Sequence, residues 1–357
     1  MSDFELSLIP PPGYETWGRV EWFWYCGQIP DSPACDDMPS FFGYRIDLAA
    51  NIAFVSIFSL SALLYILIYA FTRRGLSFFI AMLLGVLCEV LGYAGRIIAY
   101  QNQWIDKGFL MQICCLTIGP AFLAAGIYLS LRKIVYAFGA DNSRIKPEWY
   151  TRIFIPCDLV SLVLQAIGGA MASILSTNGK DTKPGDNIMI AGLVSQVVTM
   201  FIFMLLAGDF AWRTWSRHRR LGAAAFDQTP ALAEVRASIM FRAFLGALTL
   251  AFICIFWRCV YRIAELSEGW TGPLMARQDL FIGFEGVMIA IAALVLNIFH
   301  PAIACKAIVE QNAGGLNIAF WRKRKQQPVS EGDAVSPGGA AAPRRPNEKS
   351  DGSSSDV

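Results

Sequence analysis

Long apolar runs separated by short polar interruptions fill the chain from Asp47 to Cys305. A bilayer hydrocarbon core about 30 Å thick is crossed by about 20 mostly apolar helical residues. Seven stretches meet that measure, 47–71, 76–100, 110–136, 152–176, 188–212, 240–263 and 280–304, and between them only the connection 213–239 is long. The ten-residue alternation of a membrane β-barrel is absent. The pattern therefore predicts an all-α integral membrane protein, one seven-transmembrane-helix bundle over 47–305. An N-terminal segment, 1–46, precedes it. A basic juxtamembrane segment, 306–327, and a tail over 328–357, rich in Pro, Gly, Ala and Ser and read as disordered, follow.

Composition agrees and excludes a soluble globule: 55% of residues are hydrophobic and 16% charged, against roughly 25% charged in soluble domains. The basic residues also set an orientation. The connections after the first, third and fifth spans with their flanks, together with residues 306–325 after the last, carry eighteen Lys and Arg, whereas the opposite side carries six. The bias places the N-terminus outside and the C-terminus in the cytosol. The first 46 residues lack the basic and apolar regions of a cleavable signal peptide, so the first span is expected to act as an uncleaved anchor. The acidic, aromatic N-terminal segment is expected to cover the outer mouth of the bundle. Its Cys26 and Cys35 face an oxidising compartment, where they either bond to each other or remain free thiols. The run Arg322 to Lys325 is placed near anionic headgroups.

Polar residues inside the spans carry the functional information. Glu89, Gly92, Tyr93 and Arg96 fall at i, i+3, i+4 and i+7 and form one stripe of the second span. A charge at the centre of a membrane helix costs roughly 2.5 to 3.5 kcal/mol on insertion scales, so this stripe faces the bundle interior. Asp158, Ser161 and Gln165 repeat the pattern in the fourth span, ahead of Gly168 and Gly169, where small residues permit close approach. The sixth span ends with Arg258, Arg262 and Glu265 on one face. Arg262 and Glu265 lie near enough to the interface to snorkel, whereas Arg258 is deeper. Counted along the alternating spans, Arg96, Arg258, Gln196 and Glu285 reach similar depth, with Gln112 slightly higher. They are expected to line a polar chamber open towards the outer leaflet. Asp158, Asn297 and His300 form a second set nearer the cytosol. The alternative is a set of internal ion pairs, such as Glu89 with Arg96 and Arg258 with Glu285. A chamber mixing carboxylates and guanidiniums suits a zwitterionic or amino-alcohol head whose hydrocarbon part rests on apolar helix faces.

Several function classes fall away. A retinal protein needs a lysine in its last span, and 280–304 has none. A seven-span zinc hydrolase needs several histidines, and only His218 and His300 exist. No phosphate-binding G-x-x-x-x-G-K-[ST] loop is present, which argues against ATP-driven pumping. "LRKIVY" stands where a G-protein-coupled receptor carries its acidic-Arg-aromatic triplet. Neither an enzyme nor a cofactor or metal site is expected, and nothing points to nucleic acid.

The segments "E-x-x-GY-x-x-R" at 89–96, "PAFLAAGIYLSLRKI" at 120–134, "D-x-x-S-x-x-x-Q-x-x-GG" at 158–169, "GLVSQ" at 192–196, "R-x-x-YR-x-x-E" at 258–265 and "N-x-x-HP" at 297–301 follow one another along six of the seven spans. In that order they resemble the fungal lipid-translocating exporter (RTA-like) family. The resemblance implies a plasma-membrane transporter of amphipathic lipids such as sphingoid long-chain bases, or of related hydrophobic small molecules. It carries over Glu89, Tyr93, Arg96, Asp158, Gln165, Gln196, Arg258, Arg262, Glu265, Asn297 and His300 as pathway residues. A lipid sensor without net transport is the alternative. Glu89 and Asp158 are the candidates for a protonation-coupled step.

Overall fold

In a computed structural model of the chain, the residues described are 10, 14–35, 42–139, 142–177, 180–222, 226, 230–269 and 272–304. The basic segment 306–327 and the tail 328–357 lie outside them. A short helix, α1 (Arg19–Gln28), precedes the spans. Its Tyr25 and Cys26 are buried with Cys35 against Trp17, Trp22, Ile29 and Trp104. Cys26 and Cys35 form a disulfide with Cα atoms 5.8 Å apart. Asn102 donates to the Gly27 carbonyl at 2.9 Å. The N-terminal segment is thereby seated on the turn between the second and third spans.

Each span begins and ends where local chemistry requires. Asp47 accepts the N–H groups of Ala49 and Ala50 at 2.8 and 3.3 Å and caps α2 (Leu48–Thr72). Arg73 and Gly75, at φ 53° and 74°, turn the chain tightly into α3 (Leu76–Gln101). Next come α4 (Asp106–Phe138), with Pro120 inside it, and α5 (Pro147–Thr177), with Pro156 inside it. The fifth span, α6 (Lys183–Leu221), runs for 39 residues. At 1.5 Å per residue that is about 58 Å, well beyond a bilayer core. The long connection expected after residue 212 is therefore largely helical. No breaker interrupts the helix before Gly222, and His218, Arg219 and Arg220 sit favourably at its negative end. A further helix, α7 (Pro230–Ala237), lies between α6 and α8 (Ile239–Ser267). Arg236 of α7 ties it to the end of α4 through the Ala137 carbonyl, at 2.7 Å.

The last span is irregular. A short turn, α9 (Gln278–Leu280), leads into a π-helical segment, Phe281–Val287, and then α10 (Met288–Ile298). The helix breaks at Phe299 and His300, ahead of Pro301, and resumes as α11 (Pro301–Ala304). Among the described residues, seven helices are thus long and apolar enough to cross a membrane, and no strand occurs.

The spans close into a ring. α3 packs on α2 and α4, α5 on α4 and α6, α6 on α8, α8 on α10, and α10 returns to α2. α4 also reaches across to α8, and 56% of its most apolar window is enclosed against 22% for α5. A central α4 is what allows side chains of α3, α8 and the π segment to meet on it.

Candidate functional site

A cluster of charges lies inside the ring between α3, α4, α8 and the π segment. Arg258 of α8 forms an ion pair with Glu285 and also donates to the backbone carbonyl of Leu116 in α4. That carbonyl is available for a covalent reason. Its ordinary helical partner would be the N–H of residue 120, and Pro120 has none. The proline therefore supplies an acceptor to a buried guanidinium where the helix would otherwise have consumed it. The π segment does comparable work on the other side. It places Phe281 and Glu285, both buried, and Gly286 against the ring's interior. A single wide turn of this kind is frequent at functional sites. Gly286 is needed there because a Cβ would overlap the Phe54 ring of α2.

Glu89 of α3 is 1% exposed, and both of its carboxylate oxygens lack a hydrogen-bond partner among the described residues. Arg258, Glu285 and Arg262 are the charges that act on it, and its carboxylate faces Gly119 of α4, where a Cβ would collide with it. Tyr93, one turn further along α3, stacks on Phe58 at a centroid distance of 5.7 Å and meets the Phe54 ring at a tilt, 4.8 Å away. Its hydroxyl also lacks a partner, as do Glu285 Oε2 and two nitrogens of Arg258. Arg262 and Glu265 pair with each other and are 2% and 1% exposed. They are enclosed by the bundle and do not snorkel to an interface, because they share the α8 face that Arg258 turns inward.

Arg96 does not pair with Glu89. Its guanidinium is held by neutral groups: Asn51 Oδ1 at 2.9 Å, Gln112 Oε1 at 3.2 Å and the Tyr44 hydroxyl at 3.0 Å. The Phe281 ring lies 4.1 Å from it, a cation–π contact. Arg96 thus joins α2, α3, α4, the π segment and the N-terminal segment at one point.

The remaining predicted residues fall elsewhere. Gln165 donates to Gln196 at 3.0 Å between α5 and α6, beside the pair Ser161 and Ser195 at 3.2 Å. No hydrogen bond among the described residues joins this pair to the charge cluster. Asp158 accepts from the Tyr128 hydroxyl of α4 at 2.9 Å. Asn297 donates to Ser61 of α2, and the neighbouring Tyr65 hydroxyl donates to the Ala293 carbonyl at 3.1 Å. His300 accepts the N–H of Ala302 at 3.1 Å and lies against Tyr65 and Phe78. Asp158 therefore sits on one seam of the ring, and Asn297 with His300 on another. Among the described residues, no three of His, Cys, Asp or Glu are grouped to hold a metal ion.

Sequence reasoning passed over Asn51, Tyr44, Phe281 and Tyr128, although each completes a buried polar contact. Asn51, a lone amide one turn into the first span, was the readable signal among them. Chemically, the charge cluster offers carboxylate and phenol oxygens without partners among the described residues beside two fixed guanidiniums, in a buried interior. Such a site favours a small head bearing both a cation and hydroxyl groups.

The family model described as RTA1 like protein matches residues 82–308. The chain is 35% identical over 299 residues to the sphingoid long-chain base transporter RSB1 of Saccharomyces cerevisiae, covering 78% of each protein. It is 27% identical over 248 residues to protein RTM1 of Saccharomyces cerevisiae, covering 66% of this chain and 74% of that one. Protein RTA1 of Saccharomyces cerevisiae is 24% identical over 235 residues, covering 66% of this chain and 69% of that protein. No solved structure matches.

Proposed function

We propose that this chain, which belongs to the RTA1-like protein family, translocates amphipathic lipids across the membrane, with sphingoid long-chain bases as the substrate class. The observation that carries the proposal is the Glu89 carboxylate, fully enclosed with neither oxygen partnered. An ammonium head satisfies it. The hydroxyls of an amino-alcohol reach Tyr93 Oη and Glu285 Oε2, and the hydrocarbon chain leaves between helices into lipid. The name of the 35% identical relative supports the same substrate. The basic-residue bias supports an outside N-terminus, and a plasma-membrane location follows from the export reading. Arg96 acts in this scheme as the closing point, because it fastens the segment bearing Tyr44 over the cluster.

The test is efflux of a labelled sphingoid base from liposomes containing the purified protein, with and without a pH gradient. Wild-type protein is expected to give protein-dependent efflux, and Glu89→Gln to abolish it while eluting as the same folded species. Undiminished efflux by Glu89→Gln would remove the site from the pathway. Saturable binding with no efflux by the wild type would replace transport with sensing.

A further inference from the structure

Away from the charge cluster, a cavity of about 270 Å³ opens between the start of α5 and the middle of α6. Its walls include Trp149, Ile153 and Cys157 of α5 and Thr199, Ile202 and Leu206 of α6. Trp149, Ile153 and Ile202 are exposed, on helices long and apolar enough to be spans. The slot therefore faces hydrocarbon, and its occupant is an apolar chain.

One end of the slot is charged. Ile202, Leu206, Asp209 and Arg213 stand at i, i+4, i+7 and i+11 on α6, so the stripe that lines the slot runs directly into the rim. Arg144 grips Asp209 with Nε and Nη2 at 2.9 and 3.2 Å, and Arg213 reaches the same carboxylate at 3.0 Å. The Arg144 and Arg213 side chains remain 61% and 41% exposed, with guanidinium donors left over. Lys146 and Arg152 add two more exposed cations nearby, and Glu148 one carboxylate. Over the described stretches 144–152 and 206–213, cations exceed carboxylates four to two. A cationic head finds its acidic partner on α6 already held by two guanidiniums, whereas phosphate oxygens match the remaining donors.

We propose that this groove holds one anionic glycerophospholipid, an acyl chain in the slot and its phosphate on Arg144 and Arg213. It is a resident lipid site, separate from the charge cluster and independent of the transport reading. The rim lies on the side that the basic-residue bias assigns to the cytosol, where anionic lipid is concentrated.

Native mass spectrometry of the full chain in detergent, titrated with phosphatidylglycerol or with phosphatidylcholine of the same chains, tests it. One phosphatidylglycerol is expected to bind in preference to phosphatidylcholine. At about fivefold per basic residue, Arg144→Gln with Arg213→Gln should weaken phosphatidylglycerol roughly 25-fold and phosphatidylcholine much less. Ile202→Trp, which fills the slot, should weaken both lipids. Asp209→Asn, which frees both guanidiniums, should tighten phosphatidylglycerol. Equal binding of the two lipids, or wild-type affinity in both the double variant and Ile202→Trp, overturns the proposal. So does stoichiometric displacement of the bound lipid by a sphingoid base, which would make the groove a cargo site.

Discussion

Glu285→Gln is the perturbation whose consequence follows most directly from the geometry. Arg258 and Glu285 are each 1% exposed, so bulk solvent does not reach the charge left behind. Removing one member of such a pair costs about 3–5 kcal/mol, because the other charge stays buried. Two features of this site hold the loss near the lower figure. Arg258 keeps the Leu116 carbonyl freed by Pro120, and Glu89 lies close enough to act on the guanidinium. About 3 kcal/mol is therefore expected, or roughly 6 °C in the unfolding midpoint at the lower end of the size scaling. Glu89→Gln alone should cost far less, since it removes a charge without a hydrogen-bond partner. Combined with Glu285→Gln it should cost more than the sum, about 5 kcal/mol in all, because the second carboxylate then fails to take over. The assay is thermal unfolding in detergent micelles at one fixed scan rate, since unfolding of such proteins is often irreversible. Additivity of the two substitutions within about 0.5 kcal/mol would refute the sharing of Arg258 between the carboxylates.

Two further outcomes follow from packing and covalent constraint. Gly286→Ala drives a methyl group into the Phe54 ring and should cost about 1–3 kcal/mol, with Phe54→Leu recovering much of it in the same unfolding assay; a neutral Gly286→Ala variant would contradict that contact. The bond between Cys26 and Cys35, nine residues apart, is worth about 3 kcal/mol on the chain-entropy account. Its reduction should speed amide exchange in Arg19–Gln28 while leaving α3 unchanged, and equal loss of protection in both would show that the cap and bundle unfold together.

The spans were readable because hydrocarbon length is a strict measure and every buried backbone group must be satisfied within its own helix. That measure does not see a helix continuing through the interface, so α6 was expected to end at residue 212 and instead reaches Leu221. The π segment was not readable either. It brings Gly286 against Phe54 of another helix, a contact that nothing local to Phe281–Val287 announces.

The inward faces of the spans were settled by the chain alone. Glu89, Tyr93 and Arg96 had to lie on one stripe by helical periodicity, and lipid excludes charge from the outer surface. Which charges pair was decided only by the fold. Residues 89 and 96 are seven positions apart on one helix, a rise of about 10.5 Å that long side chains can span, so the helix alone leaves their pairing open. In the folded bundle Arg96 takes Asn51, Gln112 and Tyr44, and both Glu89 oxygens are left without a hydrogen-bond partner among the described residues. A helix dictates which direction a side chain points, but the partner it meets belongs to another helix, and only the closed ring around α4 brings that partner within reach.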